Sequence, residues 1–268
     1  MTDPIADLKA RQREGWASFA PLEMVTTPTA ARLVRFAGVK PGQRVLDVGC
    51  GTGVVAITAR RVGASAVGVD LTPDLLARAK EHGGVAGYED VAWKEGDVEA
   101  LPFADGEFDV VLSQFGHMFA PRPDVATKEM LRVLRPGGTI AFSTWPPELG
   151  IGKLFALVGG YGPPLPPGAS PPPQWGDVAT VRQRLGDAVR DVAFDREAML
   201  FPAMSVGHYR ELLERTSGPV LKLVQSMRSD PARLAKFRAE MEAALAPYFE
   251  PEGNVVRQGY LMTRATKA

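Results

Sequence analysis

Short apolar runs rich in β-branched residues alternate with amphipathic helical stretches between residues 40 and 145. The first run, residues 44–48, leads straight into a glycine-rich loop, and residues 54–63 then have helical spacing and end on a glycine. Further strands are predicted at residues 66–69, 91–95, 108–113 and 139–145, with helices after Pro73 and before Pro136. Strands that alternate with helices in this way predict βαβ units and a parallel sheet.

The chain changes character after residue 145. Residues 146–176 are rich in proline and glycine, and a disordered linker or an ordered loop over a pocket would both fit this composition. Beyond them the pattern predicts a helix at 177–187, a strand at 189–201, two or three helices within 205–247 and a last strand at 255–263. We therefore predict an N-terminal helical extension (1–39), a core (40–201 and 255–268) and a helical cap inserted between the last two strands (202–254).

The loop after the first strand carries the strongest chemical signal. Gly49, Gly51 and Gly53 occupy alternate positions between a strand and a helix, where glycine permits positive φ and close approach of a ligand. The helix that follows offers free N–H groups at its start, and open α/β sheets bind ligands at such turns. Asp70, at the end of the second predicted strand, can accept hydrogen bonds from ribose hydroxyls. The glycine spacing differs from the dinucleotide G-x-G-x-x-G pattern, and no Walker A lysine follows.

Four segments resemble the class I S-adenosylmethionine-dependent methyltransferases. The resemblance is closest to the type 11, small-molecule branch that includes ubiquinone and menaquinone biosynthesis methyltransferases. The segments are VLDVGCGTG (45–53), VGVDLTPDLLARA (67–79), GDVEALPFADGEFDVVLS (96–113) and LRVLRPGGTIAFSTW (131–145). The resemblance implies an α/β fold with a Rossmann-like seven-stranded sheet and helices on both of its faces. It also implies S-adenosylmethionine as cofactor and S-adenosylhomocysteine as product.

The resemblance further implies which residues surround the cofactor. These are Asp47, Gly49, Cys50, Gly51, Asp70, Leu71, Asp97, Val98 and Ser113. In the family pattern, the glycines lie under the methionine and ribose, and the first acid helps to hold the loop. The acid at position 70 binds ribose beside an apolar neighbour, residues 97 and 98 contact the adenine edge, and residue 113 lies near the methionine ammonium. The cysteine is best explained as a small buried loop residue.

The acceptor side offers fewer signals. Methyl transfer from a sulfonium mainly requires alignment and exclusion of water, so a strong catalytic constellation is not needed, and none is found. His117, just beyond the fourth strand, is the candidate base for an oxygen or nitrogen acceptor, and a pocket-lining role is the alternative. Trp16 and Phe19 are candidates for a helix that closes over the cofactor. The predicted function is methyl transfer to a small, partly apolar organic molecule.

Composition narrows the other possibilities. The 268 residues contain 31 Lys plus Arg and 31 Asp plus Glu, a balance that disfavours nucleic acid as a partner. The one cysteine excludes a disulfide framework within the chain, and we expect no metal site. Without a leader-like start or an apolar run of ~20 residues, we expect no membrane insertion and a cytoplasmic location.

Two rival functions stay open on the sequence alone. An NAD-linked oxidoreductase is disfavoured by the glycine spacing and by the lack of a Tyr-x-x-x-Lys pattern. A non-catalytic module that only binds the cofactor is compatible with the lack of an obvious base.

Overall fold

The N-terminal part of the chain forms two helices. The computed structural model describes residues 3–268. Helix α1 spans Pro4–Trp16 and begins at Asp3, whose carboxylate accepts a hydrogen bond from the Ile5 N–H. A short 3₁₀ turn (Ala20–Leu22) leads into α2, Glu23–Ala37, which ends at Gly38 in the left-handed conformation.

Residues 44–144 alternate strands and helices, as the hydrophobic pattern predicts. The elements are β1 (Arg44–Val48), α3 (Val54–Arg61), β2 (Ser65–Asp70), α4 (Pro73–Val85), β3 (Ala92–Glu95), β4 (Phe108–Gln114), α5 (Pro123–Val133) and β5 (Leu134–Thr144). All five strands pair in parallel, in the order β3-β2-β1-β4-β5. The inner parallel strands are covered on both faces, which explains the nearly continuous apolar runs in β1, β2 and β4, whereas the edge strand β3 is mostly exposed.

The rest of the chain completes the sheet and adds helices. It contains α6 (Gly150–Tyr161), α7 (Val178–Leu185), β6 (Val189–Pro202), α8 (Val206–Thr216), α9 (Gly218–Ser226), α10 (Pro231–Leu245), β7 (Phe249–Glu250) and β8 (Val255–Lys267). Strand β8 lies antiparallel between β5 and β6. The predicted α/β fold is confirmed, but the sheet has eight strands rather than seven, because the two-residue β7 pairs with the start of β8.

Helices pack on both faces of the sheet. On one face, Leu33 of α2 and Val55 of α3 belong to the same buried cluster as Val45 and Leu112. On the other face, Met130 of α5 packs in a cluster with Leu46, Phe142 and residues of α7. Val45 and Leu46 are consecutive residues of β1 and belong to different clusters, because successive side chains of a strand point to opposite faces of the sheet.

Two predicted boundaries were wrong. Helix α5 ends at Val133 and β5 begins at Leu134, although the sequence suggested a helix up to Pro136 and a strand from residue 139. The proline disfavours helical geometry at the residue before it, and Gly137 has φ of 70°. Strand β8 also continues to Lys267, four residues beyond its predicted end, because it pairs with β5 along that length.

The proline-rich segment is ordered and packs on the sheet. It ends in a 3₁₀ turn, Pro172–Gly176, in which Trp175 is only 2% exposed. The Thr144 hydroxyl donates to the Trp175 carbonyl at 2.9 Å, and the indole ring contacts Phe142. Residues 146–176 are therefore not a linker: they contain α6, which the sequence did not predict, followed by a loop that packs on the sheet.

The strand order also determines where a ligand can bind. The chain runs outward from β1 to β2 and β3, and then returns to the other side of β1 as β4. The loops that follow β1 and β4 therefore leave the sheet in different directions, which opens a crevice at the carboxyl ends of these strands.

Candidate active site

A cavity lies in this crevice. Its walls come from the loops after β1, β2, β3 and β4, from α1, and from residues of β6, α6 and α8. Among the predicted cofactor residues, the lining includes Gly49, Gly51, Asp70, Leu71, Asp97 and Val98.

The three loop glycines all have positive φ, and each has different surroundings. A Cβ on Gly49 would lie 2.8 Å from the Cα of Gly116, so Gly49 lets the β1 and β4 loops touch. A Cβ on Gly53 would lie 2.5 Å from the indole of Trp93, so Gly53 makes room for a core side chain. At Gly51 the nearest atom is the Phe19 ring at 4.0 Å. Gly51 also lines the cavity, so a ligand can approach the backbone at this residue.

Asp47 lies behind the loop rather than in the cavity wall. Its Oδ2 accepts the Ala56 N–H at 3.0 Å, which ties the end of β1 to the first turn of α3. Its Oδ1 has no hydrogen-bond partner among the residues that the structure describes. Burial raises the pKa of Asp47 to about 8, against the opposing effect of the Ala56 N–H. The carboxyl group is therefore mostly protonated at neutral pH in this state.

Cys50 and Ser113 also lie outside the cavity wall. The Cys50 N–H donates to the Val69 carbonyl at 3.0 Å, and its sulfur packs against the Cα of Gly68. Burial raises the pKa of this thiol well above its ordinary value, which leaves it unreactive. The Ser113 hydroxyl donates to the Val48 carbonyl at 2.6 Å and accepts the His117 N–H at 3.0 Å. Both residues hold loops in place.

Asp70 presents a carboxylate to the cavity from the end of β2. Its Oδ2 accepts the Gly51 N–H and its Oδ1 accepts the Thr72 N–H, both at 2.8 Å. Burial raises the pKa of Asp70, and these two N–H bonds oppose the rise. The Thr72 hydroxyl and the Leu71 N–H also oppose the rise. Leu71 follows directly and lines the same wall.

Asp97 is held by the N-terminal helix. Its Oδ1 accepts the Glu99 N–H at 2.9 Å, and its Oδ2 receives the Lys9 ammonium at 2.6 Å. Lys9 also contacts the carboxylate of Glu99, whose side chain is 1% exposed and is paired with Arg122. The sequence analysis did not find Lys9, because nothing in a sequence marks an ion pair between residues 88 positions apart.

The N-terminal helix covers the cavity. Lys9, Gln12, Trp16 and Phe19 all contribute to its lining. The Gln12 amide donates to the Phe119 carbonyl at 2.9 Å, and the Trp16 ring packs edge-on against the Phe119 ring.

His117 contributes to the wall but is almost completely enclosed. Its side chain is 1% exposed, and the ring centroid lies 4.6 Å from that of Phe142 and 4.7 Å from that of Trp175. Neither ring nitrogen has a hydrogen-bond partner within the described part of the chain. Burial, together with the charge of Arg184, lowers the pKa of His117 to about 3. The imidazole is therefore uncharged at neutral pH.

The end of the cavity away from Asp70 is apolar. Phe115 and Trp145 stack with centroids 4.1 Å apart and planes 7° from parallel. Phe115 has φ of 62°, an uncommon conformation for an aromatic residue, and it lies directly after β4. Phe155, Met199 and Phe201 continue this wall. Phe155, Met199 and Phe201 could not be predicted from the sequence, because they come from elements far from β4 in the chain.

The described residues contain no group of three or more His, Cys, Asp or Glu side chains that could hold a metal ion. Within residues 3–268, no helix combines the length and apolar character needed to cross a membrane.

Comparison with known proteins places the chain in a family. Residues 46–142 match the family model described as Methyltransferase domain. The uncharacterized protein Rv1403c of Mycobacterium tuberculosis is 36% identical over 259 residues, which cover 95% of this chain and 93% of that protein. The ubiquinone biosynthesis O-methyltransferase of Methylococcus capsulatus is 39% identical over 119 residues, which cover 44% of this chain and 49% of that protein.

A solved structure shares the fold. Phosphoethanolamine N-methyltransferase 2 of Haemonchus contortus, solved in complex with S-adenosyl-L-methionine, matches with a TM-score of 0.57 and 17% identity, over 90% of this chain and 52% of that one. At this identity the match shows the fold alone. The family match begins within β1 and ends within β5, so it includes the glycine loop that opens onto the cavity. The chain belongs to the class I S-adenosylmethionine-dependent methyltransferases, and S-adenosylmethionine is the cofactor of this family.

Proposed function

We propose that the acceptor of this methyltransferase is a small, partly apolar organic molecule. The observation that carries the proposal is the two-ended cavity. Asp70 and Asp97 follow β2 and β3 on one side of β1, whereas the aromatic and aliphatic lining comes from the segments after β4 and β5 and from β6, on the other side of β1. A cofactor at the first end leaves the apolar end for the acceptor. Enclosure by α1 would exclude water from the reacting groups.

The residues at the first end fit the cofactor. The Asp70 carboxylate, which lines the cavity, would accept the ribose hydroxyls, and the open space at Gly51 would admit the ligand next to the backbone. Leu71 and Val98 would flank the adenine, and Asp97 would accept from its amino group. When bound, S-adenosylmethionine supplies an electrophilic methyl group on a sulfonium.

Asp47, Cys50 and Ser113 are proposed to act through the loops. Asp47 and Cys50 hold the glycine loop against α3 and β2, and Ser113 joins the ends of β1 and β4. Their substitution would therefore disturb the cofactor site through displacement of the backbone.

His117 is the proposed proton acceptor. As an uncharged imidazole, it can accept a hydrogen bond from a hydroxyl or amine of the acceptor and so orient the lone pair that receives the methyl group. Its low pKa makes it a weak base for the free acceptor. A methylated oxygen that still carries its proton is an oxonium and far more acidic than an imidazolium, so with a hydroxyl acceptor the imidazole would take the proton as the new O–C bond forms and the C–S bond breaks.

The cofactor part of the proposal is tested by Asp70→Ala. Loss of two hydrogen bonds to the ribose, at roughly 1–3 kcal/mol each when the partners stay buried, should weaken S-adenosylhomocysteine binding by at least tenfold. The measurement is isothermal titration calorimetry. Asp74→Ala is the matched control, because Asp74 is exposed in the first turn of α4. Equal dissociation constants for the two variants would remove Asp70 from the site.

A further inference from the structure

A buried serine at the start of α9 lines the cavity. Ser217 directly precedes Gly218, the first residue of α9, and is only 6% exposed. A serine at this position usually accepts a hydrogen bond from an N–H group of the first helical turn, but Ser217 does not. Its hydroxyl has no other hydrogen-bond partner among residues 3–268, and the oxygen is not fully enclosed. The open side of the hydroxyl therefore faces the cavity.

The other hydroxyl groups of the lining are occupied. The Thr26 hydroxyl donates to the Glu23 carbonyl at 3.2 Å, and the Thr72 hydroxyl bonds to the Asp70 carboxylate. Among the lining hydroxyls in the described part of the chain, that of Ser217 alone is free for a ligand.

The first turn of α9 supplies two further donors. The N–H groups of Gly218 and Val220 have no hydrogen-bond partner among the described residues, and Pro219 between them has no N–H. The next N–H, that of Leu221, donates to the Ser217 carbonyl at 2.8 Å. The free N–H groups at the start of a helix point out of that end, which here is the end where the serine lines the cavity.

No acidic side chain of the lining opposes an anion at this place. The two acidic residues of the lining follow β2 and β3, on the other side of β1. Glu214, one turn before Ser217 in α8, forms ion pairs with Arg210 and Arg238, which neutralise its charge. The start of α9 therefore offers hydrogen-bond donors without an unpaired negative charge beside them.

The lining beside the start of α9 is aromatic. Gly218 lies against the N-terminal helix, because a Cβ on it would be 3.2 Å from the backbone nitrogen of Trp16. The Trp16 ring contacts the Phe119 ring, which contacts the Phe155 ring, and all three residues line the cavity. These rings offer a surface on which the apolar body of a ligand can pack.

We propose that the acceptor carries a carboxylate group, which binds to the Ser217 hydroxyl and to the free N–H groups at the start of α9. A carboxylate accepts several hydrogen bonds at once, and the starts of helices bind such anions. The apolar body of the acceptor packs on the aromatic rings, and its methyl-accepting group lies next to the cofactor. Ser217 binds the acceptor and takes part in no bond-making step. This inference rests on the proposed function, because it names the class of acceptor for the same cavity.

The first test compares acids with their amides on the unsubstituted full chain. The probes are 4-hydroxybenzoate, 4-hydroxyphenylacetate and 4-hydroxycinnamate, which place the carboxylate at different distances from the hydroxyl group, and the amide of each. Each probe is titrated calorimetrically into the S-adenosylhomocysteine complex. At least one acid should bind, and at least tenfold more tightly than its amide. Amides that bind as tightly as the acids, or no binding of any of these acids, would overturn the inference.

The second test uses Ser217→Ala, with Ser205→Ala as the matched control. Both serines precede a helix, but the Ser205 hydroxyl accepts the His208 N–H at 3.1 Å, and Ser205 does not line the cavity. Ser217→Ala should bind the acid about tenfold more weakly, with unchanged unfolding temperature and unchanged S-adenosylhomocysteine affinity, because its hydroxyl bonds to nothing within the protein. Ser205→Ala should lower the unfolding temperature and leave binding of the acid unchanged.

The outcomes separate a ligand-binding serine from the alternatives. A lower unfolding temperature of Ser217→Ala with unchanged affinity for the acid would show a structural residue and would overturn the inference. Weaker S-adenosylhomocysteine binding with unchanged affinity for the acid would assign the serine to the carboxylate of the cofactor, which also contradicts the inference. Binding of the amides alone would refute the carboxylate and leave the proposed small acceptor standing. Failure of S-adenosylhomocysteine to bind the unsubstituted protein would contradict the proposed function itself, so the two failures are distinguishable.

Discussion

At the scale of single residues, the glycine loop shows how one motif serves several purposes. The sequence predicts that the glycines between β1 and α3 admit a ligand. In the structure, Gly51 is the one of the three with open space around it. Gly49 and Gly53, however, are required by Gly116 and by the indole of Trp93, which come from distant parts of the chain. The motif predicted the loop, and the neighbours that make two of its glycines necessary could not be read from it.

His117 allows a prediction in which stability and activity separate two roles. Its folded-state pKa of about 3 lies below the ordinary 6.5 of the unfolded chain, so the unfolded state binds more protons between these pH values. His117 therefore contributes stability above pH 6.5 that is lost as the pH falls toward 3. His117→Phe, which fits between the rings of Phe142 and Trp175, should make the unfolding temperature less sensitive to acid.

The activity of the same variant decides between a catalytic and a lining role. Loss of a proton acceptor should reduce kcat for methyl-label transfer to a hydroxylated acceptor found by screening the unsubstituted protein by about 100-fold, with unchanged S-adenosylhomocysteine affinity. Unchanged kcat across the pH range would leave His117 as a lining residue only.

At the scale of elements, helix α1 depends on a few contacts with the core. Lys9 joins it to Asp97 and Glu99, Gln12 joins it to Phe119, and Gly15 packs against Gly218 of α9. The sequence predicted an N-terminal helical extension, which is where α1 and α2 form, whereas the side chains that fasten α1 over the cavity became visible only in the folded chain.

Lys9→Met should weaken the attachment of α1 to the rest of the protein. The substitution keeps the apolar stem but leaves Glu99 with Arg122 as its remaining cationic partner, so the unfolding free energy should fall by about 1–2 kcal/mol. S-adenosylhomocysteine should dissociate several-fold faster, as followed by the fluorescence of Trp16. Lys222→Met is the control, because the exposed Lys222–Glu14 pair also joins α1 to α9. Identical dissociation rates of S-adenosylhomocysteine from the two variants would show that Lys9 does not hold α1 over the cavity.

At the scale of the whole molecule, cofactor binding should stabilise the fold. A ligand that binds only the native state at 100 times its dissociation constant adds ~2.7 kcal/mol, which is about 5 °C in unfolding temperature for a chain of this length. S-adenosylhomocysteine should produce this shift, and NAD at the same concentration should produce none. A shift with NAD alone would contradict the assignment and favour the oxidoreductase that the glycine spacing argues against.

The sequence by itself determined the alternation of strands and helices, the glycine loop and the acids at the strand ends. These features depend on local periodicity and on backbone geometry within a few residues of one another. The predicted ends of α5 and β8 were wrong, since the pairing of β5 with its neighbours decides where each element stops.

Only the tertiary structure decided what faces the cavity. Lys9 meets Asp97, and Trp145 meets Phe115, across separations in the chain that no local pattern records. Burial then set the protonation of Asp47 and His117, because desolvation depends on every element packed around a group and not on its neighbours in the chain.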